Sequence, residues 1–201
     1  MIAPVNFALR DQKSQLPKNM DQNNIILKIS NLHWLATGKE ELDDLCAHGS
    51  VEFAVNNTTF LTPPDNDLTV SATALFLLRT LEKSHTPSAS VCEHNMLFAH
   101  CGHSMWYDDG NFSLTGCNKW FDPQVLRHAD LITITGGSGQ EETVTAEEWK
   151  NAVYAFADEV KAFYAKANQK NIPKENFEKA GYEFFWKEWE MMRTNSKVKP
   201  L

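Results

Sequence analysis

Cysteine and histidine side chains, which can bind metals or act as nucleophiles, are concentrated in one short stretch of this chain. The chain contains four cysteines and seven histidines, and five of these eleven residues lie between positions 91 and 103. The motif Cys92-x-His94 recurs as Cys101-x-His103. In an extended backbone, residues i and i+2 point to the same face. Each pair would therefore offer one sulfur and one imidazole to the same side.

Zinc is the cofactor that such a motif favours, because zinc binds four tetrahedral nitrogen or sulfur ligands. The spacing C-x-H-x6-C-x-H differs from that of common zinc ribbons, in which C-x2-C turns present both sulfurs. Free cysteine is also among the residue types most often buried in a core. We therefore expect no bound cofactor. A zinc domain or metalloenzyme that uses Cys92, His94, Cys101 and His103 is the first alternative.

A thiol-dependent enzyme centred on Cys117 or Cys101 is the second alternative. A thiol nucleophile needs a base that generates thiolate and donors that stabilise an oxyanion. The residues around Cys117, Gly116-Cys117-Asn118, carry no recognised catalytic signature. Because such signatures are missing elsewhere as well, we rank a binding protein ahead of an enzyme.

The charge of the chain argues against nucleic acid and membranes as partners. The formal net charge of the 201 residues is −7, whereas nucleic-acid binding needs a concentrated basic surface. No apolar run approaches the roughly 20 residues of a membrane helix. The N-terminus also lacks the basic start and long apolar centre of a signal peptide. We expect a cytoplasmic protein with reduced thiols.

Acidic side chains are the candidate partner-binding groups, because an acidic surface attracts a basic protein and speeds encounter. Exposed aromatic side chains would anchor the contact. In size and charge the chain is similar to small acidic proteins that block another protein, such as bacterial toxin-immunity proteins. The leading hypothesis is thus an inhibitor of a basic partner. Its candidate contact residues are Glu40, Glu41, Asp43, Asp44, Asp108 and Asp109.

Strand and turn patterns dominate two parts of the chain. Residues 51–55 alternate in character, and Asn56-Asn57 can take the positive φ that a two-residue hairpin turn demands, so residues 58–61 should return as the second strand. Residues 90–135 are expected to be mainly β-structure, with a turn at 108–111.

Helical patterns predict three helices, near 69–83, 145–167 and 174–193. The second begins with a capping box, Thr145-Ala146-Glu147-Glu148. The third carries a broad aromatic surface that we expect to dock on its own domain.

The order of these elements is strands, a helix, strands and two helices, which differs from the regular alternation of a parallel doubly wound sheet. We therefore expect an α+β fold, with an antiparallel or mixed sheet and the helices segregated against it. Residues 1–201 should form a single domain, with a mobile arm over about 1–23 and a frayed tail over about 195–201. The oligomeric state is left open.

Overall fold

The protein has an α+β fold with antiparallel strand pairing, as the order of its sequence patterns predicts. The computed structural model describes residues 24–38, 40–63, 66–101, 104–116 and 120–194. The arm and the tail predicted at the two ends lie outside these described residues.

The bounds of the described elements are as follows. The strands are β1 (Ile25–His33), β2 (His48–Val55), β3 (Thr58–Leu61), β4 (Leu68–Thr69), β5 (Phe98–Ala99), β6 (Ser104–Asp108), β7 (Asn111–Thr115), β8 (Trp120–Phe121), β9 (Gln124–His128), β10 (Leu131–Thr135) and β11 (Glu141–Thr145). The helices are α1 (Val70–Arg79), α2 (Ala146–Lys166) and α3 (Asn176–Thr194), and a 3-10 turn spans Glu40–Asp43.

The largest sheet has β2 at its centre. Strands β1 and β3 pair with β2 on its two sides, and β4 pairs with its N-terminal end. The predicted hairpin is confirmed, because Val55 pairs with Thr58 around Asn56 and Asn57, whose φ angles are 48° and 74°. Seven of the eight β2 residues are buried, which makes this strand part of the core.

The remaining strands form a three-stranded sheet and two short pairs. The sheet has the order β11-β10-β9, and the pairs are β5 with β8 and β6 with β7. The predicted turn between β6 and β7 is also confirmed. Asp108 pairs with Asn111, while Asp109 and Gly110 have φ angles of 46° and 83°. This positive φ explains the glycine at position 110.

Helix α1 is buried at every position from Val70 to Leu78, as expected of a helix that is apolar on all sides. It contacts α2, α3 and strand β2. The sequence predicts a helix extending to Lys83, but the structure ends it at Arg79. The Thr80 hydroxyl donates to Leu77 O and accepts the indole N–H of Trp149, at 2.6 and 2.9 Å. This tertiary contact fixes the helix end.

Helix α2 begins at the predicted capping box: the Thr145 hydroxyl accepts the Glu148 amide, and the Glu148 carboxylate accepts the Thr145 amide. The helix packs on β1. Its Trp149 side chain is fully buried, and the indole ring centroid lies 6.1 Å from that of Phe53 in β2.

Helix α2 is also connected to the N-terminal strands by polar contacts far apart in sequence. The Asn24 side-chain amide donates to Glu148 at 2.9 Å. At the other end of the helix, the Tyr164 hydroxyl donates to Leu45 O at 2.7 Å and accepts the Ala47 amide at 3.1 Å.

Helix α3 docks its aromatic surface as the sequence predicts. The side chains of Phe185 and Trp189 are almost completely buried. At Gly181 the helix lies so close to β6 that an added Cβ would be 2.3 Å from Met105 O.

A buried ion pair connects α3 to α1. The Arg79 guanidinium donates to both carboxylate oxygens of Glu188, at 2.7 and 2.8 Å. Both side chains are 11% exposed.

None of the helices in the described part of the chain combines the length and apolar character needed to cross a bilayer.

Candidate functional site

Cys92 and His94, the first half of the Cys/His motif, do not share a face as an extended backbone would require. Residues 91–97 form bends and turns, and Glu93 has a positive φ of 55°. Cys92 is fully buried while His94 is exposed. The prediction that these two side chains point to the same side is therefore wrong, because the turn separates them.

Cys101, in the second half of the motif, is disulfide-bonded, whereas Cys46 and Cys92 belong to no disulfide. A disulfide sulfur has no thiolate to offer, so the bond contradicts the predicted roles of Cys101 as a metal ligand and as a nucleophile. It also contradicts the expectation of reduced thiols throughout the chain. His103 and Cys117, the remaining candidates, lie outside the described residues.

Cys92 instead belongs to a cluster with two residues that the motif does not contain. The Nε2 atom of His85 is 2.9 Å from Asp122 Oδ1, and its Nδ1 atom is 3.8 Å from Cys92 Sγ. The Val91 amide donates to the same Nδ1 at 3.2 Å. This contact assigns the ring proton to Nε2, which then donates to Asp122. We call these three residues, His85, Cys92 and Asp122, the His–Cys–Asp cluster.

The cluster is positioned by backbone hydrogen bonds from separate parts of the chain. The amide and carbonyl of His85 bond to those of Val125 in β9. Asp122 Oδ1 also accepts the Leu97 amide at 2.8 Å. In addition, Arg79 donates to Val91 O at 2.7 Å. The loop that carries Cys92 is thus fixed at Val91 by Arg79 and at Leu97 by Asp122.

Burial decides what the cluster can do chemically. Burial raises the pKa of the Cys92 thiol well above its usual range, and the charge of Asp122 adds to this effect. Burial opposes ionisation of Asp122 as well, but the hydrogen bonds from His85 and from the Leu97 amide outweigh it and lower the Asp122 pKa. A protonated, inaccessible thiol beside a carboxylate is unsuited to nucleophilic attack.

The first group of predicted partner-binding acids surrounds the 3-10 turn, and part of it is used inside the protein. Asp44 accepts hydrogen bonds from the Leu35, Ala36 and Cys46 amides, which gives it a structural role. Glu41 contributes its carbonyl oxygen to the Lys170 ammonium at 2.6 Å.

Asp43 from the same group accepts the side-chain amide of Asn171 at 2.8 Å. It also lines an open depression of about 620 Å³ together with Ile172, Lys174, Glu175 and Glu178, where the three carboxylates outnumber the one ammonium. The backbone of Glu40 belongs to the 3-10 turn, while its side chain lies outside the described part of the structure.

The second predicted pair, Asp108 and Asp109, lies beside exposed aromatic side chains. Trp106 of β6 and Phe177 of α3 are 53% and 44% exposed, and their rings meet edge to face at 6.1 Å. With Asp108 they line a depression of about 640 Å³.

The first turns of α3 connect the two groups of acids. Glu175 and Glu178 face the depression that contains Asp43, while Asn176, Phe177 and Ala180 face the one that contains Trp106 and Asp108. We call this region the acidic–aromatic surface. It consists of Asp43, Trp106, Asp108, Asp109, Ile172, Glu175, Phe177 and Glu178.

Sequence reasoning missed His85, Asp122, Trp106 and Phe177 as members of these sites. His85 and Asp122 are 37 residues apart, and no local pattern relates them. Trp106 did carry a signal, since it alternates along β6 with the buried Met105. That alternation places the tryptophan on the outer face.

Searches of protein-family models, of curated proteins and of solved structures each find no match to this chain.

Proposed function

We propose that this protein is a binding module that holds a basic protein segment on the acidic–aromatic surface. The observation that carries the proposal is the position of α3, whose first turns place acids and exposed aromatic side chains side by side. Inhibition of a basic enzyme or toxin is the form of this function that the charge and size of the chain favour. A cytoplasmic location remains a prediction, and the disulfide at Cys101 speaks against it.

The apolar part of the surface supplies the anchor. Trp106, Phe177 and Ile172 are among the large apolar side chains that remain exposed, at 53%, 44% and 44%. Tryptophan and other aromatic residues are enriched at the centres of protein interfaces, where they contribute most of the binding energy. An aliphatic or aromatic side chain of the partner would fit into the depression that Trp106 and Phe177 line.

The charged part of the surface favours a partner segment of positive charge. Asp108 borders the aromatic depression, with Asp109 next to it in the turn, and Glu175, Glu178 and Asp43 line the other depression. These carboxylates would attract a segment rich in lysine or arginine. Such attraction raises the association rate and weakens as salt screens it.

A displayed library of random peptides, selected on the full-length protein, tests this proposal. We expect the selected peptides to be basic, to contain an apolar anchor and to bind more weakly as salt concentration rises. The double variants Trp106→Ser/Phe177→Ser and Asp108→Lys/Asp109→Lys should each bind them at least tenfold more weakly, which corresponds to about 1.4 kcal/mol.

The matched control is Asp130→Lys/Leu131→Ser, which changes an exposed acid and an exposed apolar residue on the turn between β9 and β10. This variant should bind the peptides as tightly as the unchanged protein. Binding that ignores salt, or that falls equally in the control, would contradict the proposal. So would concentration-dependent self-association that the Trp106→Ser/Phe177→Ser change abolishes, since the surface would then be covered by a second copy.

A further inference from the structure

We propose that the outer edge of β1 binds an extended peptide segment of a partner protein as an additional strand, with one basic side chain of the segment directed to Glu159. Strand β1 is nine residues long, and among the described strands it pairs with β2 alone. The added segment would lie between β1 and α2. None of the residues involved belongs to the acidic–aromatic surface, so this binding would be independent of the proposed function.

The backbone groups of alternate β1 residues point away from β2. The Asn56 amide donates to Asn24 O at 2.8 Å, which makes these two residues a hydrogen-bonded pair at the start of the ladder. In an antiparallel ladder, hydrogen-bonded and non-hydrogen-bonded pairs alternate. Ile25, Leu27 and Ile29 therefore direct their amides and carbonyls to the outer edge. Each of them offers a donor and an acceptor to an added strand.

A groove beside this edge has room for side chains of the added strand. The groove has a volume of about 290 Å³ and is lined by Ile25 and Leu27 from β1 and by Ala152 and Ala155 from α2. The two alanines are neighbours on one side of the helix, and their small side chains leave the space open. When a peptide binds by strand addition, its main chain supplies affinity and its alternate side chains enter such pockets. We call this feature the β1–α2 groove.

The ionisable side chains of the β1–α2 groove favour a basic residue in the segment. Glu148 and Glu159 of α2 and Lys28 of β1 line the groove, so the carboxylates outnumber the ammonium. Glu148 already accepts a hydrogen bond from the Asn24 side chain. Burial raises the pKa of the Glu159 carboxyl, and the ion pairs between residues that the structure describes do not include it. A lysine or arginine of the partner would stabilise its ionised form.

A basic partner fits this edge better than a second copy of the chain does. Antiparallel pairing of β1 with itself would relate the two copies by a two-fold axis perpendicular to the sheet. Both α2 helices would then lie on the same face, which brings Glu148 and Glu159 toward the same carboxylates of the other copy. Like charges facing each other oppose association.

A displayed library of random peptides tests the inference when it is selected on the full-length Trp106→Ser/Phe177→Ser protein, in which the acidic–aromatic surface is altered. We expect the selected peptides to carry a basic and an apolar residue at alternate positions, and to bind the unchanged protein equally well. Methylation of single backbone nitrogens in the peptide should weaken binding by about tenfold or more at every second position only. This alternation is the signature of an added strand.

Two substitutions in α2 locate the binding site. Ala155→Trp fills the β1–α2 groove, and Glu159→Lys reverses the charge that selects the basic side chain. Each should weaken peptide binding by about tenfold or more. The matched controls are Ala162→Trp, an exposed position two turns later on α2, and Asp130→Lys, an exposed acid outside the groove. Both controls should bind the peptides as tightly as the unchanged protein.

Hydrogen exchange of the full-length protein identifies what covers the edge before the peptide is added. The amides of Ile25, Leu27 and Ile29 should exchange freely in dilute protein and become protected when the peptide binds. Protection in the dilute protein would overturn the inference, because the chain itself would then cover the edge. Protection that appears only at high protein concentration would assign the edge to a second copy and overturn it as well. So would a selection that yields no peptide sensitive to Ala155→Trp, or binding that methylation weakens without alternation.

Discussion

His85 uses both ring nitrogens to hold together residues that are distant in sequence. Its Nε2 atom donates to Asp122, and its Nδ1 atom accepts the Val91 amide. Asp122 in turn accepts the Leu97 amide. Because these bonds favour the ionised carboxylate, the Asp122 pKa is lowered even though burial alone would raise it. The protonation state of one side chain therefore affects the stability of the whole loop at 91–97.

Asp122 should make the protein sensitive to acid. A carboxylate whose pKa is lowered in the folded state stabilises that state above its unfolded pKa, which is about 3.9, and this stabilisation is lost as the pH falls through the folded pKa. Asp122→Asn should lower the free energy of unfolding at neutral pH by about 1.5 to 3 kcal/mol. It should also flatten the dependence on pH below about 4.

Urea unfolding at a series of pH values measures both effects. Asp130→Asn serves as the control, since Asp130 is exposed, and it should leave the pH dependence unchanged. Equal acid slopes for Asp122→Asn and the unchanged protein would show that the carboxylate has no such role.

At this scale the sequence predicted the residue types but not their partners. Cys92 was paired with His94 in the predicted motif, yet His94 is exposed while Cys92 is buried. The prediction assumed an extended backbone, which the positive φ of Glu93 breaks. The actual neighbours, His85 and Asp122, come together through backbone pairing of His85 with Val125. That pairing depends on the fold, so spacing in the sequence carries no sign of it.

Helices α1 and α3 are joined by the buried ion pair between Arg79 and Glu188. Removing the charge of one partner should lower the free energy of unfolding. Glu188→Gln leaves the buried Arg79 with a weaker partner, the Glu93 carboxylate at 3.6 Å. We therefore expect a loss of about 3 kcal/mol in the free energy of unfolding. The control is Glu190→Gln, which breaks the exposed pair with Lys161 and should cost less than about 1 kcal/mol. Chemical denaturation of both variants provides the comparison. Similar losses of stability in the two variants would mean that burial does not determine how much an ion pair contributes to stability.

The close approach of α3 to β6 gives a second test at the level of elements. Alanine usually stabilises a helix by about 1 kcal/mol relative to glycine. At Gly181 we expect the opposite sign, because the new Cβ would be 2.3 Å from Met105 O. Gly181→Ala should lose about 1 to 3 kcal/mol by overpacking.

Gly137→Ala is the matched control, since nothing lies within 4 Å of an added Cβ there. Thermal unfolding of the two variants distinguishes them. A higher midpoint for Gly181→Ala would show that the helix moves away from β6 without strain.

Elements with local signals were predicted well from the sequence. The capping box needs only Thr145 and Glu148, and the hairpin turn needs only Asn56 and Asn57. The end of α1 was predicted four residues too late because the Thr80 hydroxyl bonds to Trp149, 69 residues away. The division of the strands into separate sheets was not predicted either, because it depends on contacts between residues far apart in sequence. No local pattern indicates which strands pair.

At the scale of the molecule, Trp149 connects the largest sheet to two helices. It belongs to α2, contacts Phe53 of β2 and donates to Thr80 at the end of α1. Trp149→Ala should therefore lower the free energy of unfolding by about 3 to 5 kcal/mol. Trp106→Ala removes an exposed tryptophan and should change stability by about 0.5 kcal/mol or less. Urea denaturation measures both, and a small effect at Trp149 would mean that the core reorganises around the gap.

The contacts between β1, the segment after it and α2 have a consequence for biosynthesis. Asn24 bonds to Glu148, and Leu45 and Ala47 bond to Tyr164. During synthesis, β1 and β2 leave the ribosome long before these residues of α2 do. Until α2 emerges, the apolar face that it will cover stays exposed. We expect this interval to be the time at which chaperones engage the growing polypeptide.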